Sequence, residues 1–109
     1  MEAWLVLTTL PDDASARELA GRLVDLRVAA CVSIQAPCVS IYRWQGQTEQ
    51  ANEVTLLIKT TASAYPRLEA IVREHHPYDV PELIAVPIVA GLPAYLGWLA
   101  DAARIEESC

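Results

Sequence analysis

A short polar turn carries the residues of this chain that are best suited to chemistry. Residues 75–82, with the sequence HHPYDVPE, hold two imidazoles, two carboxylates and a phenol. A helical pattern of apolar residues runs into this segment, and Pro77 must end the helix because proline has no N–H to donate and crowds the preceding turn. An apolar run typical of a strand, residues 83–89, follows. Side chains on a stiff turn between two packed elements are well placed to bind a ligand, although turns that bind nothing use the same residue types.

The imidazole and carboxylate groups of this turn could bind a divalent ion weakly and near the surface. His76 together with Asp79 or Glu82 is the candidate set. His75 falls on the apolar stripe of the preceding helix, which predicts a partly buried histidine. Adjacent histidines splay apart, and the chain has no CxxC or HxxxH spacing, so we expect no closed structural zinc site and no metal requirement for folding. The alternative is that both carboxylates only cap backbone N–H groups.

A second candidate site centres on Lys59, at the end of an apolar strand. Its side chain is in phase with Thr55 and Leu57, which directs it to the same face of the sheet. A buried ammonium needs a partner because desolvating a lone charge is costly. Glu82 or Asp79 is the natural partner. Such a pair marks either a ligand site or a structural ion pair, and the sequence leaves both open.

Nucleophilic catalysis has little support in the sequence. Ser33 and Ser40 lie in predicted strands without an evident His–Asp partner, and no glycine-rich phosphate loop occurs. A dyad of Cys31 and His76 stays open, but nothing local activates the thiol. Whether Cys31 and Cys38 converge cannot be decided from their spacing across Pro37.

The elements that must position these residues follow the order βαββαβ, with a short helix after them. Strands are predicted at residues 4–9, 29–35, 39–44, 53–61 and 83–89, the second and third being one strand bent at 36–38. Asp12 and Ser63 are the expected caps of the first two helices. The final helix is predicted to start at Pro93 and to carry Tyr95, Trp98, Leu99 and Ala102 on one face. This order with right-handed crossovers gives a ferredoxin-like α+β sandwich, a four-stranded antiparallel sheet with an extended hairpin and two helices on one face.

Both faces of the predicted sheet carry apolar side chains. An antiparallel sheet with one solvent-exposed face should alternate apolar and polar residues. Instead, Leu56 and Ile58 face one side while Leu57 faces the other, and the first and last strands behave alike. A bare apolar face of this size is rarely tolerated by monomers. We therefore expect other copies of the chain to bury the second face, which the short final helix alone would not cover.

Composition restricts the class of protein. The 109 residues suit one domain, 1–109, with a core at about 3–103 and a frayed tail at 104–109. The net charge of −6 argues against a nucleic-acid partner. No apolar run is long enough to span a membrane, and no secretory signal is evident. Three cysteines without CxxC spacing favour a reducing compartment, so we expect a cytoplasmic protein.

Five sequence blocks, in order, resemble the CutA divalent-cation tolerance family. They are residues 29–32 (AACV), 40–46 (SIYRWQG), 57–61 (LIKTT), 75–82 (HHPYDVPE) and 93–99 (PAYLGWL). The resemblance implies a homotrimer of PII-like architecture, a role in the response to divalent ions of the copper type, and Cu or Zn as a candidate metal. Cys38, Leu92 and Gly97 depart from the family pattern, and the last two should weaken the final helix.

The same resemblance assigns residues to two sites. It places Lys59, Tyr78 and Glu82 near a cleft between subunits. With Tyr42 and Trp44 they would form a ligand-binding pocket of aromatic walls and a few fixed charges. It also adds Cys31, which matches the AACV block, to the metal candidates His76, Asp79 and Glu82; the alternative for Cys31 is a small residue packed in a strand.

The predicted function is that of a non-enzymatic tolerance protein that binds an ion or a small ligand between subunits. Two alternatives stay open. One is an enzyme that uses Lys59, Tyr78 and Glu82 as acid–base groups on a small metabolite. The other is a purely structural trimer that acts as an assembly adaptor. A role in signal transduction is an extension by fold analogy alone.

Overall fold

Eight elements follow one another in residues 2–104, the part of the chain that the computed structural model describes. They are β1 (Ala3–Leu10), α1 (Asp13–Asp25), β2 (Cys31–Ile34), β3 (Cys38–Trp44), β4 (Gln47–Thr61), α2 (Tyr65–His75), β5 (Leu83–Pro87) and α3 (Pro93–Ala102). Their order agrees with the predicted βαββαβ pattern followed by a helix, except that the second predicted strand is divided into β2 and β3. Of the tail expected at 104–109, all but Arg104 lies outside the described residues.

The sheet is antiparallel and has five strands in the described chain. The order is β2-β4-β1-β5, and β3 pairs with the part of β4 that extends beyond β2. The prediction of four strands was wrong, because the bend before Cys38 separates β2 from β3. β4 is also longer than predicted and begins at Gln47, since its polar first half pairs with β3 where no core requires apolar residues.

The first two helices begin differently from each other. Asp12 caps α1 as predicted, and its carboxylate accepts a hydrogen bond from the Ser15 backbone N–H at 2.8 Å. The prediction for Ser63 was wrong. Ala64 occupies the cap position of α2, and its N–H donates to the Thr61 hydroxyl at 3.2 Å. Thr61, the last residue of β4, thus accepts from the N–H of the cap residue itself, and α2 has no side-chain cap of the kind expected from Ser63.

One face of the sheet forms the core beneath α1 and α2. Alternate residues of the two central strands, such as Val6, Leu56 and Ile58, are fully buried there. They pack against apolar residues of both helices, among them Leu23 and Leu68. The apolar side chains that repeat every 3.6 residues in the helices and every two residues in the strands therefore pack together in one core layer.

The opposite face is covered at one end only. There α3 packs Leu99 and Ala103 against Ala3 and Ala30. Of the residues predicted to share one face of α3, Leu99 is buried, whereas Tyr95 and Trp98 stay about half exposed and contact each other, with ring centroids 5.5 Å apart.

The remainder of this second face is apolar and uncovered in the chain. We call it the open sheet face, and it consists of Leu5, Leu7, Leu57, Ile84 and Val86. Ile84 is 52% exposed and Val86 is 45% exposed. The prediction of apolar side chains on both sides of the sheet is confirmed, and its extension to an oligomer stays a prediction.

The distal half of the β3–β4 hairpin, residues 38–53, projects from the sheet as a two-stranded ribbon. Its turn places Gln45 at φ 48° and Gly46 at φ 78°, the left-handed pair that a tight hairpin requires. Apolar side chains are exposed on both of its surfaces, with Ile41 on one and Trp44 on the other. In residues 2–104 no helix has the length and apolar character needed to cross a bilayer.

Candidate functional site

The turn that follows α2 is held in place by proline. α2 ends at His75, and His76 is extended, with φ −76° and ψ 137°, as expected for a residue before proline. The backbone N–H of His76 still donates to the Val72 carbonyl at 2.8 Å. At the far end of the turn, the hydroxyl of the buried Thr8 donates to the Glu82 carbonyl at 2.6 Å. The turn is therefore fixed to the helix at one end and to β1 at the other.

His76 is a buried structural residue in this turn. Its Nε2 lies 2.8 Å from the Thr9 carbonyl, which can only accept, so Nε2 carries the proton. Its Nδ1 accepts a hydrogen bond from the Tyr78 backbone N–H at 3.1 Å. Burial lowers the pKa of His76, and the bond to Thr9 and the charge of Glu53 oppose that shift in part.

The roles predicted for the two histidines are reversed in the structure. His76 is only 8% exposed, whereas His75, expected on the buried stripe, is exposed at the end of α2. The helix stripe ends at Val72, so His75 turns toward solvent beside Glu74. Because both ring nitrogens of His76 are occupied, the imidazole offers no free electron pair to a metal in this arrangement.

Tyr78 connects the turn to the ribbon. Its hydroxyl donates to a Glu53 carboxylate oxygen at 3.1 Å. Burial, followed by the hydrogen bond and the negative charge of Glu53, raises the pKa of Tyr78 to about 12. The phenol therefore stays protonated at neutral pH, and its ring lies 5.0 Å from the His76 ring, centroid to centroid.

Between the ribbon and the turn lies an open cleft of about 960 Å³. Ribbon and turn supply most of its lining, and Thr9 of β1 completes it. The lining residues are Thr9, Ser40, Ile41, Tyr42, Trp44, Ala51, Glu53, Pro77, Tyr78, Asp79, Val80 and Glu82. A concave site with aromatic walls and a few polar groups is the usual form of a small-ligand site.

This cleft brings together most of the residues predicted for ligand binding. Tyr42, Trp44, Tyr78 and Glu82 line it, and so does the metal candidate Asp79. Glu53 was missed by the sequence analysis. It has the same two-residue phase as Lys59 along β4, and that periodicity was the available signal.

Lys59 does not line the cleft within one chain. It lies on the second face of the sheet, opposite Leu5 of β1 and Cys31 of β2. Its Nζ donates to the Ser33 hydroxyl at 2.8 Å and is 4.0 Å from the Cys31 sulfur. The predicted pairing with Glu82 or Asp79 is absent from the contacts of the described chain.

The predicted metal ligands also stay apart in one chain. Cys31 lies beside Lys59 in the sheet, while Asp79 and Glu82 line the cleft. Cys38 is on the ribbon, with its sulfur 3.8 Å from the Thr55 hydroxyl. In residues 2–104, no three histidine, cysteine or acidic side chains converge as a metal centre would require. A Cys31–His76 dyad is likewise not formed, because each residue has other partners.

Fold and site together define an α+β protein with an antiparallel sheet, one uncovered apolar face and an acidic, aromatic cleft. The family model described as "CutA1 divalent ion tolerance protein" matches residues 4–102. The chain therefore belongs to the CutA1 divalent ion tolerance family, as the five sequence blocks suggested.

Individual relatives agree with this family. The divalent-cation tolerance protein CutA of Thermus thermophilus is 47% identical over 97 residues, which cover 89% of this chain and 94% of that protein. The protein of the same name from Pectobacterium atrosepticum is 43% identical over 98 residues, covering 90% of this chain and 89% of that one. The crystal structure of CutA1 from Oryza sativa superimposes with a TM-score of 0.94 at 37% identity, covering 97% of each chain.

Proposed function

We propose that this chain is a cytoplasmic, homotrimeric divalent-cation tolerance protein that binds an ion or a small ligand in clefts completed between subunits. Residues 3–103 act as one ferredoxin-like domain, and three such domains assemble in the PII-like manner. The cleft between the ribbon and the turn is the observation that carries the proposal, because it gathers aromatic and carboxylate side chains around an open volume. The free thiols of Cys31 and Cys38 suit the reducing cytoplasm.

The open sheet face supports the assembly. Ile84 and Val86 are about half exposed, and three half-buried leucines lie beside them: Leu5, Leu7 and Leu57. Covering such a contiguous apolar surface with a second copy is favourable because each apolar area removed from water contributes to the association. Lys59 lies on the same face with a neutral hydroxyl as its nearest partner. A carboxylate from a neighbouring copy would supply the counter-charge that residues 2–104 of one chain do not bring to it.

Binding fits the cleft better than catalysis does. The acid–base set considered for an enzyme, Lys59 with Tyr78 and Glu82, is divided between two places in one chain. A general acid or base works best when its pKa is near the working pH. Tyr78, with its pKa raised to about 12, is far from that range. The cleft therefore offers shape and charge for holding a ligand rather than groups poised to transfer protons.

Two measurements test the proposal. Sedimentation velocity at micromolar and lower concentrations should give a trimer, and a compact single chain would refute the assembly. Calorimetry with Cu(II) and Zn(II) should show binding by the wild type that weakens in Glu82→Gln. Glu18→Gln, which removes the same charge from the distant helix α1, should bind as the wild type does. If neither ion binds at micromolar concentration, ion binding is refuted.

A further inference from the structure

The charges that line the cleft all have one sign. Three of its lining residues are acidic, Glu53, Asp79 and Glu82, and none of its twelve lining residues is lysine, arginine or histidine. His76 lies behind this surface, buried and hydrogen-bonded through both ring nitrogens. The side chains that one chain contributes therefore give the cleft a negative potential, which favours positively charged ligands over anions.

Hydrogen-bond acceptors also predominate. The Tyr78 hydroxyl uses its proton on Glu53, so its oxygen lone pairs are left to accept. The carboxylates of the lining accept as well. Among the side chains of the lining, the Trp44 indole is the only nitrogen donor. A phosphate or carboxylate ligand would find repulsion here and few donors, whereas an N–H⁺ group would find several acceptors.

The walls of the cleft are aromatic. Tyr42 and Trp44 project from the ribbon with 45% and 55% of their surface exposed, and Tyr78 faces them from the turn. Aromatic faces attract weakly hydrated organic cations through the ring quadrupole, and tryptophan does so most strongly. A bare divalent ion would instead need several ligands converging on one point, and residues 2–104 of one chain alone do not supply such a set.

We propose that the cleft binds an organic cation, that is, a protonated amine or ammonium group carried on an apolar or aromatic body. The ammonium group is held between the aromatic walls and Glu53, and the apolar body contacts the ribbon. This inference deepens the proposed function, on which it rests for the identity of the site, and it names the chemical class of the small ligand.

Three probes of similar size separate charge from shape: phenethylammonium, 2-phenylethanol and phenylacetate. Their head groups are positive, neutral and negative on the same phenyl body. Dissociation constants would be measured by isothermal titration calorimetry at neutral pH and low salt. We expect phenethylammonium to bind about tenfold more tightly than the alcohol, and phenylacetate to bind most weakly.

Matched variants locate the effect in the cleft. Glu53→Gln keeps the shape and an acceptor for Tyr78, and it should weaken phenethylammonium about tenfold while leaving the alcohol nearly unchanged. Glu18→Gln, on α1, should change neither. Trp44→Leu should reduce the preference for the cation, whereas Trp98→Leu, an equally exposed tryptophan on α3, should not. Circular dichroism confirms that each variant is folded.

The outcomes distinguish this inference from the proposed function. The organic-cation proposal is overturned by equal affinities for the three probes, by preference for phenylacetate, or by no binding at millimolar concentration. In each of these cases a trimer in sedimentation would still support the proposed assembly. Conversely, a single chain that still prefers phenethylammonium would overturn the trimer and support the cation site.

Discussion

Replacing His76 by leucine should cost far more stability than the same change at His75. The His76 ring joins two backbone groups from separate elements, the Thr9 carbonyl and the Tyr78 N–H. Leucine keeps most of the side-chain volume but makes neither bond. The variant therefore leaves an acceptor on β1 and a donor in the turn without partners, which isolates the polar contribution of the imidazole.

The size of the effect follows from the burial of the two partners. An unsatisfied buried donor or acceptor costs about 1–3 kcal/mol. Thr9 is only 7% exposed, so its carbonyl loses its partner with little access to water. Tyr78 is partly exposed, and water can replace part of its loss. From the sum of the two losses, we expect His76→Leu to lower the free energy of unfolding by about 2–4 kcal/mol.

Urea unfolding followed by circular dichroism measures this difference. Both variants and the wild type are compared at one protein concentration, because the proposed assembly would make the apparent stability depend on concentration. His75→Leu, at the exposed end of α2, should stay within about 0.5 kcal/mol of the wild type. A His76→Leu effect below about 1 kcal/mol, or equal effects at both positions, would refute the structural role assigned to the buried ring.

Three further predictions concern pH, a helix cap and the open sheet face. Because the pKa of His76 is lowered in the folded chain, the unfolded chain binds the proton more readily, so stability should fall as the pH drops below about 6.5, and His76→Leu should flatten that slope in urea titrations. Asp12→Ala removes the acceptor of the Ser15 N–H and should lower the free energy of unfolding by about 1 kcal/mol, with no loss if the cap is immaterial. Ile84→Glu should leave the single chain folded but dissociate the assembly, since it forfeits roughly 1 kcal/mol of apolar burial per copy and buries a carboxylate. Val89→Glu, at a residue 92% exposed, is its control in sedimentation, and an unchanged trimer in Ile84→Glu would contradict the interface.

The element order and the core could be predicted from the sequence because local chemistry determines them. Asp12 offers a cap at the place where a helical stripe begins, and Pro77 can only end a helix. The ends of the strands were harder to predict. β4 continues through the mostly polar residues 48–52, which are extended because they pair with β3 and not because they are buried. The start of α2 was mistaken because Thr61 and Ser63 are chemically equivalent acceptors, and only the backbone path selects one of them.

The cleft could be predicted only in part, for reasons of geometry. The sequence identified four residues that line the cleft: Tyr42, Trp44, Tyr78 and Glu82. Their proximity, however, depends on the angle and distance between the ribbon and the turn, which no local sequence pattern gives. The two histidines were reversed because the buried stripe of α2 ends at Val72, before it reaches His75. The position of Lys59 along β4 correctly predicts that its side chain lies on the second face of the sheet. The alternation of a strand does not, however, show which carboxylate approaches that face.

The continuity of β4 links the cleft to the open sheet face. This single strand of 15 residues runs from the ribbon turn into the centre of the sheet, so Glu53 in the cleft and Leu57 on the open sheet face belong to one extended segment about 13 Å apart. A ligand that shifts Glu53 would then also disturb the surface proposed to contact neighbouring copies. In the proposed assembly, filling one cleft would alter the affinity of the next, and the saturation curve would depart from a simple hyperbola.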